Sequence, residues 1–429
     1  MTETTRTTAR ACAEGRAYAA AGAFSRRTML KALGGTAVTL AATESVHTQV
    51  AMAAPGYTGD VLVVLSLRGG FDGLSAVVPG GDPNYYALRP TIGIPRSRLL
   101  QLDNSFGFHP ALRPLLPLWQ NGSLAVVHGV GSPEPTRSHF HAMAEMERAA
   151  PGTSTRTGWL DRTIGLRGTT SDDTFAAVQI GSSTAPQSLA GPAPELATNS
   201  LDSFRLLGPT AQKERTRWAA CLDELHTTGP ETIAVPGRAA LAAAARIPGI
   251  APASTTAGYP DSDLGRSLAD VARLVKSGVG VQVATVDVGD WDMHDNLGKA
   301  GDGWMAEKLT DLSSAMVAFA RDLGSRMSGV TMVTMSEFGR RANENGSGGL
   351  DHGHGNAMFV LGGGVNGGKV YGRWPGLAET QLVDGALAGT TDYRSVIGEV
   401  LSRRCGAGSL SSIFPGLAPV SALGLVRSR

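Results

Sequence analysis

The amino-acid sequence predicts an α/β protein built on a largely parallel β-sheet. Short aliphatic runs alternate with helical patterns along most of the chain, and this alternation is typical of strands joined by helical crossovers. The runs are nearly continuous rather than alternating in polarity, as expected for strands that are buried on both faces. With 42% hydrophobic and 17% charged residues, the chain can build a substantial core.

The elements follow in order from the first strand, predicted at 60–67, which ends in the glycine-rich turn 68–73. A second strand is predicted at 124–128, a helix at 138–150 and a third strand at 175–180. The remaining elements continue the alternation. We predict helices at 264–277, 304–323 and 393–403, and strands at 280–288, 330–335 and 356–361.

The segment 184–260 is richer in Ala, Pro, Thr and Ser than the rest of the chain. Its patterning is weaker, with helical pieces only near 213–226 and 238–246. We interpret it as an insertion or cap within a single domain that spans 54–425.

The N-terminus has the pattern of an export signal. Ser25-Arg26-Arg27-Thr28-Met29-Leu30-Lys31 is a twin-arginine motif, and Ala51-Met52-Ala53 offers small residues to a signal peptidase. The uncharged run at 32–43 is too short for a membrane anchor, which needs ~20 residues. The sequence therefore predicts a signal peptide at 1–53, with the twin-arginine translocase and signal peptidase as partners. The mature chain should be extracellular or periplasmic, without a membrane span.

Charge and cysteine content exclude two kinds of site. A formal net charge of +1 without a basic stripe argues against nucleic-acid binding. Three cysteines, of which Cys12 lies in the signal peptide, are too few for a Cys-based zinc site. The other two, Cys221 and Cys405, could form one disulfide in an oxidising compartment.

Acidic and histidine side chains cluster just beyond predicted strand ends or just before a strand. Parallel sheets bind ligands at the carboxyl ends of their strands, and carboxylates with imidazoles are ligands for divalent metals. The sequence therefore predicts a site for a divalent ion, with Zn, Mg, Mn and Ca as candidates. Alternatively these are solvated loop residues, and Glu337 a helix cap or the ion-pair partner of Arg340 or Arg341. The candidate ligands are Asp72, Asp290, Asp292, His294, Glu337, His352 and His354.

A hydroxyl-rich turn at 135–139 enters the helix predicted at 138–150. Ser138 is a candidate nucleophile there, or else only the N-cap of the helix. Arg137 adds a positive charge suited to a phosphate or sulfate oxygen, whereas His139 and His141 are interpreted as supporting or surface groups. The chain contains no Gly-x-Ser-x-Gly elbow, which argues against a serine esterase of that type.

Five motifs together resemble a bacterial exported family catalogued as domain of unknown function 1501. That family is in turn similar to the alkaline phosphatase and sulfatase superfamily, which implies a three-layer α/β sandwich of the alkaline phosphatase type. The motifs lie at 67–73, 136–140, 291–294, 336–340 and 351–356.

The resemblance implies roles for several residues. Asp72 matches the metal-binding Asp that ends the first strand, and Ser138 matches the nucleophile. Asp290, or Asp292 in its place, pairs with His294 as ligands. The last ligand is His352, whose spacing fits better than that of His354.

One departure concerns Phe338. The superfamily has an Asp-His pair where this chain has Glu337-Phe338, and phenylalanine cannot bind a metal. The resemblance therefore implies that Asp72, Glu337 and Ser138 hold one ion, Mg²⁺, Mn²⁺ or Ca²⁺ rather than zinc, beside a second ion on Asp290 or Asp292, His294 and His352. Otherwise the site binds one metal only or is no longer catalytic. The corresponding hypotheses are a metal-dependent hydrolase of small phosphate or sulfate esters, including sulfated polysaccharides, and a secreted binding protein without activity.

Overall fold

The computed structural model describes residues 57, 59–167, 173, 175–228, 230–418 and 421–429. The signal peptide expected at 1–53 lies outside the described residues. Within the described part, nine strands form one central sheet and three short strands form a second sheet. The strands are β1 (Val61–Leu67), β2 (Val77–Val78), β3 (Leu100–Gln101), β4 (Gly107–Phe108), β5 (Leu124–Gly131), β6 (Ala177–Ile180), β7 (Leu196–Thr198), β8 (Val283–Val288), β9 (Val330–Met335), β10 (Asn356–Gly362), β11 (Val370–Tyr371) and β12 (Thr391–Asp392).

The helices lie between the strands, as the alternating pattern predicts, and short 3₁₀ turns occur in several of the loops. The α-helices are α1 (Gly73–Ala76), α2 (Pro83–Leu88), α3 (Leu116–Gln120), α4 (His139–Arg148), α5 (Trp159–Gly165), α6 (Gln212–Thr228), α7 (Glu231–Arg246), α8 (Asp263–Ser277), α9 (Trp304–Leu323), α10 (Tyr393–Arg404) and α11 (Leu410–Ile413).

The central sheet has the order β11-β5-β10-β9-β1-β8-β6-β7, with β12 also beside β5. Every pairing is parallel except those of β10, which runs antiparallel to both β5 and β9. The smaller sheet, β2-β4-β3, is antiparallel. The predicted α/β class with a largely parallel sheet is therefore confirmed, with one reversed strand that the sequence pattern does not reveal.

β1 shows why this chain forms three layers. Its side chains alternate between the faces of the sheet, and both faces are buried. Val63 and Leu65 pack into the core that contains α8 and α9, whereas Leu62 and Val64 pack into the core that contains α10. Burying such a side chain contributes about 1.5–3 kcal/mol, so a continuous aliphatic run favours the centre of a sandwich.

The segment 184–260 contributes β7 to the edge of the central sheet and also forms α6 and α7. Leu196 and Ala197 of β7 are fully buried. The segment is therefore partly continuous with the sandwich, while its interpretation as an insertion or cap stays a prediction.

No helix among the described residues is both long and apolar enough to cross a membrane. Cys221, which is exposed on α6, and Cys405, which is buried after α10, are both free thiols. The disulfide considered from the sequence is therefore not formed.

The sheet brings several loops to one edge. β1, β5, β8 and β9 run in the same direction, so the loops that follow them leave the sheet at the same edge. Because β10 follows β9 in the chain and is antiparallel to it, the loop that joins β9 to β10 both begins and ends at this edge. These four loops carry the side chains described next.

Candidate metal centre

Three imidazoles from separate loops meet at the carboxyl edge of the sheet. His139 is the first residue of α4, His294 follows β8, and His352 precedes β10. The Nε2 atom of His352 lies 2.9 Å from Nε2 of His139 and 2.8 Å from Nε2 of His294. Residues far apart in the sequence thus direct the same ring atom toward one point.

Asp292 adds a carboxylate oxygen to this group. Its Oδ1 lies 3.3 Å from Nε2 of His139, 3.1 Å from Nε2 of His294 and 3.4 Å from Nε2 of His352. Ligands at the ~2.0–2.1 Å bond lengths of a tetrahedral zinc ion are separated by roughly 3.3 Å. The donor atoms of His139, Asp292 and His352 all lie within 4.8 Å of one another, as the ligands of one ion do, and Nε2 of His294 lies beside two of them.

The outer ring nitrogens determine which tautomers these histidines adopt. Nδ1 of His139 lies 2.7 Å from Oε1 of Glu337, and Nδ1 of His352 lies 2.8 Å from the carbonyl oxygen of Arg137. Both partners are acceptors, so both Nδ1 atoms carry the hydrogen, and in a neutral imidazole Nε2 then has the lone pair. Nδ1 of His294 likewise faces an acceptor, Oδ1 of Asp351, at 3.5 Å.

With the hydrogens on Nδ1, the Nε2 lone pairs of these histidines point toward one another. Two Nε2 atoms at 2.9 Å that both present lone pairs, with a carboxylate oxygen beside them, repel unless a proton or a metal ion lies between them. This is the arrangement of a metal centre whose histidines are held from behind by oxygen acceptors. The residues present therefore fit a divalent ion.

Electrostatics keep these groups in the forms that bind a metal. Burial lowers the pKa of His352 from its usual range, and the neighbouring His139 and Arg340 lower it further. Burial raises the pKa of Asp292, but the hydrogen bond and charge of Arg340 outweigh this effect and the pKa is lowered overall. His352 is therefore neutral and Asp292 is ionised near pH 7.

Glu337 lies behind His139 and not among the Nε2 atoms. Its side chain is fully buried, and Oε1 accepts hydrogen bonds from Nδ1 of His139 and from the backbone N–H of Gly69 at 2.8 Å. The hydroxyl of Ser336 donates to Oε2 at 3.1 Å. Gly69 has a positive φ of 115°, and a Cβ there would lie 2.7 Å from the backbone nitrogen of Asp292, so only glycine permits this close approach.

The buried side chain of Arg340 connects the loops that carry the centre. Its guanidinium is buried and donates to the carbonyl oxygens of Gly70, Leu350 and Trp291 at 2.6, 2.9 and 3.1 Å. It also donates to Oδ1 of Asp292 at 2.6 Å. One side chain thus connects the loops that follow β1 and β8 with the loop that precedes β10.

The structure does not bring Asp72 into the group of imidazoles. Both of its carboxylate oxygens are bound by the buried Arg89, at 2.5 and 3.0 Å, and Oδ2 also accepts from the backbone N–H of Ser75 at the start of α1. Burial raises the pKa of Asp72, yet the charge of Arg89 lowers it overall. Asp72 therefore serves as a helix cap and ion-pair partner here.

Two further candidate ligands also lie outside the group. Asp290 is exposed, and its carboxylate lies 3.8 Å from Nζ of Lys308. His354 donates from Nε2 to the carbonyl oxygen of Ser132 at 2.9 Å, and its Nδ1 is buried without a partner in the described residues. Of the alternatives that the sequence left open, the geometry thus groups Asp292 rather than Asp290 and His352 rather than His354.

Ser138 lies at the rim of the centre. It is exposed, occupies the N-cap position of α4 and makes no capping hydrogen bond with its side chain. Arg137, whose carbonyl oxygen holds His352, directs its guanidinium to the carbonyl oxygen of Asp384 at 3.0 Å. Ser138 is therefore flanked in sequence by two residues that contact the centre.

His139 is the member of the centre that the sequence does not identify. It directly follows Ser138 in the turn, but nothing in a helix start shows which ring nitrogen faces a ligand. Phe338 lies beside it, with ring centroids 4.8 Å from His139 and 5.0 Å from His352. Phe338 therefore packs against two imidazoles at a position where the resemblance places a ligand.

Comparison with solved structures finds distant similarity. A phosphonate monoester hydrolase of Agrobacterium radiobacter is 10% identical, with a TM-score of 0.34, and the match covers 84% of this chain and 78% of that one. A sulfatase of Pseudoalteromonas sp., PsFucS1, is 11% identical, with a TM-score of 0.34 and coverage of 87% and 74%. Similarity at this level supports no conclusion about activity.

No curated protein matches the chain. The model of one protein family matches residues 120–388, which are more than half of the chain and include all four residues of the centre. The chain belongs to this family, described as protein of unknown function (DUF1501).

Proposed function

We propose that this protein is an exported, metal-dependent hydrolase of phosphate or sulfate esters. The observation that supports the proposal best is the convergence of three Nε2 lone pairs on Oδ1 of Asp292. A metal ion bound among these atoms would remove the repulsion between their lone pairs. The proposed ligands are His139, His294, His352 and Asp292.

The donor set favours zinc. Three imidazole nitrogens with one carboxylate oxygen suit Zn²⁺, whereas Mg²⁺, Mn²⁺ and Ca²⁺ prefer sites made of oxygen ligands. We also propose that the centre holds a single ion, because Arg89 engages Asp72 and His139 engages Glu337. These two carboxylates are then not available to a second ion.

Ser138 is the proposed nucleophile. A bound divalent ion would act as a Lewis acid toward an ester oxygen. The Oγ of Ser138 would form a bond to phosphorus or sulfur, pass its proton to water and displace the alcohol, and water would then cleave the ester on Ser138. Arg137, on the same turn, would neutralise oxygens that gain charge in the transition state.

The proposal is tested with the exported full chain, analysed for metals and then assayed with chromogenic phosphate, phosphodiester and sulfate esters. We expect about one zinc per chain and turnover of at least one ester class. Ser138→Ala should abolish turnover and leave the zinc content unchanged, whereas Ser154→Ala, at another exposed serine, should change neither. Full activity of Ser138→Ala would reject the nucleophile.

A second candidate is a secreted binding protein without catalysis. Phe338 favours it, because an aromatic ring packs against two of the imidazoles. This candidate predicts bound zinc, binding of phosphate or sulfate esters and no turnover in the same assays.

Export by the twin-arginine translocase, followed by signal peptidase cleavage after Ala53, completes the proposal. Replacing Arg26 and Arg27 by lysine should leave the uncleaved precursor in the cytoplasm. Fractionation of cells followed by N-terminal sequencing measures this. Appearance of the double variant outside the cytoplasm, with the N-terminus at Ala54, would argue for another export route.

A further inference from the structure

We infer that Glu337 is a positioning residue, whose negative charge orients and polarises His139 for metal binding without ligating the ion itself. The inference depends on the proposed metal centre and deepens it. It reassigns a carboxylate that the sequence suggested as a ligand.

The geometry directs the carboxylate at one hydrogen. Oε1 of Glu337 lies 2.7 Å from Nδ1 of His139, the ring nitrogen that faces away from the centre. The same oxygen accepts from Gly69, and the other oxygen accepts from the hydroxyl of Ser336. These bonds fix the carboxylate from two sides, so the orientation of the imidazole is fixed as well.

The carboxylate of Glu337 has no lysine or arginine partner among the described residues. Among the described residues, the only ion-pair partner of its carboxylate is His139, because Gly69 and Ser336 contribute neutral donors. A fully buried carboxylate is costly unless a positive charge compensates it. A cation bound at Nε2 of His139 would supply that charge through the ring.

The negative charge of Glu337 affects metal binding because the other proposed ligands supply little negative charge. His294 and His352 bind as neutral groups, and the charge of Asp292 is shared with the buried Arg340 at 2.6 Å. The centre is therefore poor in negative charge for a divalent ion. A hydrogen bond from Nδ1–H to a carboxylate raises the basicity of Nε2, and removing such a partner typically weakens metal affinity by about 10–100-fold.

Glu337 also supports the loop at 69–71, so the test must separate its charge from its structural role. Glu337→Gln keeps the shape and an acceptor oxygen but removes the charge. The matched control is Glu399→Gln, since Glu399 is also a buried carboxylate, and its oxygens accept from the backbone of Leu423, Gly424 and Val426. Zinc affinity is measured by competition with a chromophoric chelator.

We expect Glu337→Gln to weaken zinc binding by about 10–100-fold and Glu399→Gln to leave it unchanged. A double-mutant cycle with His139→Ala sharpens the test. If Glu337 acts through His139, then Glu337→Gln causes no further loss in the His139→Ala background. A full additional loss there would identify Glu337 as a ligand and overturn the inference, as would unchanged affinity in the single variant.

The inference can also be tested by spectroscopy on the unmodified protein, and this test does not depend on the folding of a variant. In the zinc-loaded protein, NMR of histidines labelled with ¹⁵N should show a strongly deshielded Nδ1–H proton on His139, as expected for a hydrogen bond to a carboxylate. Absence of a proton on Nδ1 of His139, or metal ligation at that nitrogen, would contradict the inference. If the zinc-loaded protein hydrolyses no ester, the proposed activity fails while these zinc measurements still decide the role of Glu337; if it binds no zinc, both fail.

Discussion

At the scale of single residues, the partner of each buried carboxylate distinguishes its place in the structure. Asp72 and Glu337 are both buried and both follow a central strand, so their sequence contexts are alike. Asp72 is engaged by a guanidinium and Glu337 by an imidazole. The difference arises from Arg89 and His139, which lie elsewhere in the chain, and no local pattern could reveal it.

Arg89→Met provides a test of the role of Asp72. The substitution leaves a buried carboxylate without its counter-charge, and removing one partner of such a pair costs about 3–5 kcal/mol. Urea unfolding should therefore show a large loss of stability, while zinc content per folded chain should remain at the wild-type value. A loss of zinc from folded Arg89→Met would contradict a purely structural role for the Arg89–Asp72 pair.

At the scale of elements, the centre depends on how closely its loops approach. A Cβ at Gly353 would lie 2.3 Å from the backbone of Arg340, so the two ends of the loop that joins β9 to β10 can touch only where the side chain is a hydrogen. Gly346 belongs to the same connection but has nothing within 4 Å of the Cβ position. The two glycines therefore form a matched pair.

Gly353→Ala should force the two ends of this loop apart and displace His352. We expect a loss of about 1–3 kcal/mol in stability, as for other overpacked sites, together with weaker zinc binding. Gly346→Ala should change neither quantity, and equal behaviour of the two variants in unfolding and zinc titrations would contradict the steric argument.

The elements also show what the sequence could and could not predict. The helix at 304–323 and the strand at 330–335 have the predicted bounds, because long apolar patterns determine them. β7, β11 and β12 have only two or three residues each and carry no readable pattern. The direction of β10 is likewise set by tertiary packing, since an apolar run reads the same in either orientation.

For the centre, strand ends predicted which loops would meet, and the structure groups Asp292, His294 and His352 accordingly. The sequence could not distinguish the nitrogen that faces the centre from the one that faces away, which depends on where Nδ1 of each histidine finds an acceptor. For the same reason the sequence favours a supporting or surface role for His139, although its Nε2 lies within the centre.

At the scale of the whole molecule, two buried histidines outside the centre couple stability to pH. Burial lowers the pKa of both His109 and His128 to about 4. Nδ1 of His109 accepts from the backbone N–H of Ala111, and Nδ1 of His128 accepts from that of Gly129. Both rings are therefore held in the neutral form, and protonation would break a backbone hydrogen bond.

Because the unfolded chain binds protons near pH 6.5 and the folded chain only near pH 4, stability must fall as the pH drops between these values. Between pH 7 and pH 5 we expect each histidine to contribute a loss of about 2 kcal/mol. Urea unfolding of metal-free protein measures the slope, and His128→Gln should reduce it. A flat profile over this range would show that these rings are not buried as neutral groups.

The contact between Nδ1 of His352 and the carbonyl oxygen of Arg137 links chemistry at one residue to ligation at another. Residues 137–139 form one short stretch of backbone that carries Ser138 and His139 and contacts His352. In the proposed centre, modification of the Ser138 hydroxyl and retention of the ion would be coupled through this stretch, and a trapped adduct should release zinc at a different rate from the unmodified protein.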